Sequence, residues 1–284
     1  GEQVANLEAA GRERAPSDPA AARDEVGRRS PPRPWPWERW LPPALLLAGL
    51  ALWEVAARAG WISALFFPPP SAITLTLLRM LGSVDFWAGL GSTLMRLTAG
   101  VLIGGGAGLL LGWLMGVSRP LRVALAPLVA ALHPLPKLAL FPIVLVILGI
   151  GESSKVALVA LTAFFPMLLN TLAGVQQIDP THWEVAANYG ATGGKLLRRV
   201  VLPGSLPMTL TGLRLAVNGA LVVTIAIEML SARQGLGATI WLAWQTLRTE
   251  DLYATLVVIG GLGLASNQLL ESATRLLLPW KGKP

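Results

Sequence analysis

The sequence predicts an all-α integral membrane protein of six transmembrane helices, an expectation that rests on composition, apolar run length and charge placement. Of its 284 residues, 53% are hydrophobic and 14% charged, with a mean hydropathy of +0.57, too apolar and too charge-poor for an ordinary soluble domain. Six apolar stretches, at about 41–59, 90–117, 128–150, 153–175, 206–230 and 252–278, approach or exceed the ~20 residues that span a hydrocarbon core. Their unbroken apolar runs suit helices, because the strands of a membrane barrel alternate polar with apolar residues.

Charge placement gives the orientation. The net charge of +7 arises from 23 basic and 16 acidic residues. With the amino terminus inside, Arg28, Arg29, Arg33, Arg39, Arg119, Arg122, Lys195, Arg198, Arg199, Arg275, Lys281 and Lys283 fall near span ends on the inner side, and Arg58, Arg79, Lys155, Arg233 and Arg248 on the other. The positive-inside rule then puts both termini in the cytoplasm, in agreement with an even number of spans. The basic balance is that of a membrane protein and implies no nucleic-acid partner. The chain has no cysteine, which excludes a disulfide framework and a thiolate metal site.

Residues 1–40 hold seven basic and seven acidic residues without apolar periodicity, the composition of a disordered cytoplasmic tail. They lack the apolar core of a signal peptide. Trp35, Trp37 and Trp40 stand before the first span, where interfacial aromatics anchor a helix. The six-helix domain is expected over 41–280. After the first span, a proline-rich start followed by Leu75, Leu78 and Leu81 at helical spacing predicts a short amphipathic helix within 66–81. In the second span Gly100, Gly104, Gly108, Gly112 and Gly116 recur at every fourth position and clear one helix face of side chains, so that another helix of the subunit can approach closely.

Pro134, Pro136 and Pro142 disturb the start of the third span, and broken helices border cavities rather than lipid. His133 and Lys137 are therefore candidates for lining the inner mouth of a pathway, with snorkelling to the interface as the alternative. Asn170 in the fourth span and Asn218 in the fifth are further pathway candidates; hydrogen bonding between helices is the simpler use of either. Glu228 is expected near the external end of the fifth span, marking where that helix emerges. Residues 233–237 and 241–248 suggest an external turn and a short helix before the last span.

Residues 177–207 form a polar, basic interruption between apolar spans. Ala186, Ala187 and Gly190 recur at spacings of three and four, giving a helix face with little bulk against which another protein can pack. Glu184 is expected near the start of this helix, where unpaired amides favour a carboxylate, and Pro203 and Pro207 are expected to fix the return into the next span. The alternative is a surface loop in which Glu184 is only a helix cap. Residues 190–195 (GATGGK) have a superficial likeness to a phosphate-binding loop, but Tyr189 occupies the first glycine position and Leu196 follows the lysine. His133 and His182 lack metal-ligand spacing, and no serine sits in a nucleophile elbow. These residues offer no enzyme chemistry, and the chain is expected to bind no metal or cofactor of its own.

Glu184, Ala186, Ala187 and Gly190, followed by Val200 and Leu202-Pro203, resemble the EAA loop of ATP-binding-cassette import permeases, with Val185 standing where that pattern has a second alanine. HPLPKLALFPIVLVILGIGESSK at 133–155, FFPMLLNTLAGVQQID before the loop, EMLSARQGLGATIW after it and the closing LLLPW narrow the resemblance to the nitrate, sulfonate, taurine and bicarbonate group, over about 67–280. The resemblance implies a type I importer fold with a cytoplasmic coupling helix, set in a bacterial inner membrane. It implies a second copy of the permease, two ATPase subunits that hold ATP and magnesium, and an external solute-binding protein. Glu184, Ala186, Ala187 and Gly190 would seat in a groove of the ATPase, with Leu202 and Pro203 setting the loop's exit. The solute would be a small oxyanion, for which Lys137, Asn170 and Asn218 offer a cation and amide donors. An ATP-independent channel or secondary transporter, or a permease for another small solute, are the competing readings.

Overall fold

The computed structural model describes residues 40–278. The expected tail with Trp35 and Trp37, and the closing Trp280, Lys281 and Lys283, lie outside the described residues. The chain divides after Val55 into two units. The described part of the first is almost entirely α1 (Leu41–Arg58), an apolar helix of 18 residues.

The second unit begins in the last turn of α1 and continues with α2 (Pro70–Leu81), α3 (Val84–Val117), α4 (Arg119–Leu132), α5 (Phe141–Leu148), α6 (Glu152–Gln176), α7 (Pro180–Asn188), α8 (Gly193–Ser231), α9 (Leu236–Gln245) and α10 (Thr249–Leu277). Five helices (α1, α3, α6, α8 and α10) are long and apolar enough to cross a membrane. The sixth expected span is a bent pair: α4 and the segment Lys137–Leu148 meet at 89°. The disturbed start expected for the 128–150 span is thus a full corner, with an early helix, a proline-interrupted turn and a short second helix. Pro134 and Pro136 disfavour helical geometry in the residues before them, and a 3₁₀ turn at Lys137–Leu140 restarts the chain toward α5.

Local chemistry explains the other boundaries. Ser83 caps α3 by accepting from the Phe86 amide at 3.2 Å, and Ser118 caps α4 by accepting from Leu121. The short helix expected within 66–81 starts at Pro70, a residue suited to a first helical turn. The external helix starts at Leu236 and ends at Gln245, earlier than the 241–248 expected, because Gly235 at φ +138° supplies the turn. The fifth span extends back to Gly193. A π-turn at Leu197–Val201 immediately precedes Pro203, so both Pro203 and Pro207 lie inside α8 rather than at its start.

The glycine ladder is used within the chain. A Cβ on Gly100 would collide with Val159, on Gly104 with the Ala160 carbonyl, on Gly108 with that of Phe164, on Gly112 with that of Leu168 at 2.8 Å and on Gly116 with Val175. Residues rise together on both helices, so α3 and α6 run parallel with their backbones nearly touching. The opposite side of α6 receives α8: a Cβ on Gly174 would come within 2.9 Å of the Ser205 carbonyl oxygen, and one on Gly212 within 3.0 Å of that of Pro166. Leu158, Val159, Ala163 and Leu168 on α6, with Ala216 and Ala220 on α8, are fully enclosed. Phe141 at the head of α5 joins this core beside Leu97, Leu158 and Leu221, which ties the bent pair to the bundle. Hydroxyls in the spans donate to carbonyls four residues back, as Thr162 does to Leu158 and Thr224 to Ala220, which satisfies them within their own helices.

Gly104→Ala is expected to destabilise the protein by at least ~1–3 kcal/mol, since the added methyl group meets backbone that cannot yield. Gly106→Ala, whose Cβ meets nothing within 4 Å, is the matched control and should be close to neutral. Chemical denaturation of the two detergent-solubilised variants checks this; equal stabilities would contradict the packing.

Candidate functional site

The polar interruption folds as one defined helix and a tight turn. Asp179 caps α7, its carboxylate accepting from the Thr181 amide at 2.8 Å, with Pro180 in the first turn. Thr181, through its side-chain hydroxyl first and its backbone amide second, holds the Asp179 carboxyl below its ordinary pKa. The end of α7 is a Schellman turn: Ala191 N donates to Ala186 O at 2.8 Å and Gly190 N to Ala187 O at 3.0 Å, with Gly190 at φ +64°. Gly190 is therefore needed for its left-handed backbone. Glu184 lies in the middle of α7, not near its start, because the Asp179-Pro180 pair places the helix start four residues earlier than Glu184 itself suggests.

Side-chain directions narrow the expected small face. Glu184, Ala187 and Gly190 are exposed, whereas Ala186 is buried within the chain at 6% exposure. A cleft of about 460 Å³ separates α7 from the first turns of α8, walled by Val185 and Ala186 on one side and by Lys195 and Arg199 on the other. Leu202 is exposed and Pro203 half-buried, the latter beside a second cleft of about 400 Å³ that shares His182 and Arg199. The result is an exposed helix with one carboxylate, small residues at Ala187 and Gly190 and a basic flank on the α8 side, held by a tight turn at the end of a membrane-spanning helix. Such an element can receive a partner and pass displacement to α8.

The three expected pathway residues do not converge. The Lys137 ammonium donates to the His133 carbonyl and lies 5.1 Å from the centre of the Phe165 ring, with His133 against the same ring. Asn170 donates to the Pro166 carbonyl at 2.8 Å, and Asn218 on α8 donates to Asn267 on α10 at 3.3 Å. Each has its own hydrogen-bond partner.

The opposite end of α6 and α8 holds a buried charge cluster. At ~1.5 Å per residue the 25 residues of α6 put it roughly 37 Å from α7. Arg96 of α3 donates from Nε and Nη2 to the two Glu152 oxygens at 2.6 and 2.8 Å, and from Nη1 to Glu228 Oε1 at 2.7 Å and the Gln234 carbonyl at 2.8 Å. Lys155 Nζ reaches Glu152 Oε1 at 2.9 Å. Glu228 Oε2 accepts from Thr93 Oγ1 and from the Gly237 amide, both at 2.9 Å. A Cβ on Gly235 or Gly237 would strike Glu228, so the two glycines bring the α8–α9 turn onto its carboxylate.

Glu228 is wholly enclosed, which corrects its expected role as a marker of helix emergence, and Lys155, one of the basic residues expected near span ends on the outer side, is buried as well. Arg96 and Glu152 had been given no part. The available signal was a lone arginine inside the 90–117 span and a glutamate at matching depth in the fifth, since buried charges in membranes are paired.

The family described as binding-protein-dependent transport system inner membrane component matches residues 104–283. The chain is 32% identical over 256 residues to the taurine transport system permease protein TauC of Escherichia coli (strain K12), covering 88% of this chain and 93% of that protein. It is 31% identical over 243 residues to a putative aliphatic sulfonates transport permease protein, SsuC, of Bacillus subtilis (strain 168), covering 85% and 88%. It is 31% identical over 272 residues to the bicarbonate transport system permease protein CmpB of Synechococcus elongatus, covering 88% and 96%. With its long apolar helices and polar loop, the chain belongs to this family: it is a multi-pass membrane permease of an ATP-binding-cassette importer, the non-catalytic member of an assembly whose ATP is hydrolysed in partner subunits.

Proposed function

We propose that this permease carries a small oxyanion, of sulfonate, taurine, nitrate or bicarbonate type, across a bacterial inner membrane, driven by two partner ATPase subunits. Energy coupling rests on one observation, the exposed α7 with Glu184, Ala187 and Gly190 outward on a rigid turn into α8. The solute class rests on relatives named for taurine, aliphatic sulfonates and bicarbonate.

In this reading α7 and the basic start of α8 face the cytoplasm, as do both termini and the 1–40 tail, and residues 41–280 form the permease domain. Two copies pair about a two-fold axis, and an external binding protein delivers solute to the far side. ATP and magnesium stay on the ATPases. Glu184, Ala187 and Gly190 seat in the ATPase groove; Ala186 supports α7 from within, and Leu202 and Pro203 set the geometry of the exit. The 39-residue α8 carries the movement of α7 across the membrane, and ATP binding shifts the population toward the outward-open state by its differential affinity. Lys137, Asn170 and Asn218 are proposed as polar groups along the solute's path.

Glu184→Ala should insert normally and bind its partners, yet lose at least ~10-fold of ATP-driven uptake, about 1.4 kcal/mol of coupling; full uptake by this variant would remove the assigned role. Proteoliposomes holding the permease, its ATPase and its binding protein should accumulate taurine, an alkanesulfonate, nitrate or bicarbonate only when ATP is supplied. Flux without ATP would make the chain a channel or secondary transporter, and ATP-driven uptake confined to an amino acid or phosphonate would replace the solute class.

A further inference from the structure

The two carboxylates on Arg96 are held very differently. Glu228 is wholly buried and fastened on three sides. Glu152 is 48% exposed in its side chain and follows Gly149-Ile150-Gly151, where Gly149 has φ +78° with open space about it and Ile150 is 90% exposed. Three N–H donors nevertheless converge on the Glu152 carboxylate, from Arg96 Nε, Arg96 Nη2 and Lys155 Nζ, at 2.6, 2.8 and 2.9 Å.

The charge balance makes this arrangement informative. Without Glu152, the buried Arg96, Lys155 and Glu228 sum to one positive charge. Among the described residues Glu152 is the only acidic partner of Lys155, and leaving that buried ammonium unpaired is costly. Glu152 can therefore swing into solvent readily only if another monoanion takes its place. The same three donors can serve any compact oxyanion, because Arg96 offers a fork and Lys155 a point charge to whichever anion lies between them.

We propose that Glu152 is an internal stand-in for the transported anion, and that an oxyanion monoanion displaces its carboxylate from Arg96 and Lys155 at the end of the bundle opposite α7. The proposal rests on the oxyanion-importer reading, in which solute arrives at that end. For a solute of net charge −1, the net charge of the cluster is unchanged by the exchange. A tethered competitor at high effective concentration keeps the site weak, as a site that must release its solute requires.

The test is methanesulfonate binding to the permease–ATPase assembly in nanodiscs, by titration calorimetry, with uncharged dimethyl sulfone as control. Wild type should bind methanesulfonate weakly, Glu152→Gln at least tenfold more tightly, and dimethyl sulfone should bind neither. Adding Lys155→Met to Glu152→Gln should abolish the gain. In uptake, Glu152→Gln should lower KM and kcat together, because release slows. Unchanged affinity in Glu152→Gln, or a gain that survives Lys155→Met, overturns the site. Should Glu152→Gln fail to assemble, the Arg96 Nε resonance of ¹⁵N-arginine-labelled wild type decides: it must move with methanesulfonate, and an unmoved resonance overturns the proposal. Wild-type uptake measured alongside separates the two readings. ATP-driven uptake without tightening removes only the anion site, whereas tightening without ATP dependence keeps the site and removes the importer.

Discussion

The close approach of α3 to α6 is the constraint on which the rest of this bundle depends. Between helices in lipid there is no hydrophobic driving force, so association relies on dispersion and near-backbone contact, which Gly100 to Gly116 permit along four turns. The parallel register that sets Gly100 on Val159 carries Arg96, one turn earlier, to the level of Lys155 and Glu152. A side chain on the ladder would therefore do more than loosen packing. It would pull the guanidinium away from its carboxylates and leave buried charge uncompensated.

The other face of α6 is committed to α8, and those two helices share both ends of the machinery. At one end they flank α7, whose Schellman turn feeds straight into α8. At the other, Glu152 begins α6 and Glu228 closes the last turn of α8, with Arg96 between them. From the turn that ends α7, α8 runs as one long helix to the charge cluster.

Much of this was legible in the sequence because the signals are local. Apolar run length gives the spans, and a glycine at every fourth position states its use without any partner being known. Gly190 was picked out for lack of bulk, yet its φ of +64° is what the turn requires. The 89° corner between α4 and Lys137–Leu148 was only half legible, because prolines announce a break but hydropathy carries no angle. The register of α7 was readable in Asp179-Pro180, a cap followed by a first-turn proline, but the weight placed on Glu184 obscured it. The inward turn of Ala186 depends on where α8 begins. Arg96 was least legible: one charge is averaged away in a long apolar window, and its partners lie 56 and 132 residues along the chain.

The same distance in sequence has a consequence for how the chain is made. When α3 enters the membrane during synthesis, neither Glu152 nor Glu228 has left the ribosome, so Arg96 must be accommodated alone at a cost of ~2.5–3.5 kcal/mol near mid-bilayer, less toward an interface. The long apolar stretch of α3 tolerates that, and its arginine lies about a third of the way along, within snorkelling reach of the interface. Release comes in two stages, first as α6 arrives with Glu152 and Lys155, then as α8 delivers Glu228. Until then the half-built bundle keeps an unmatched cation in lipid, a state open to membrane quality control, and completion of α8 ends that exposure.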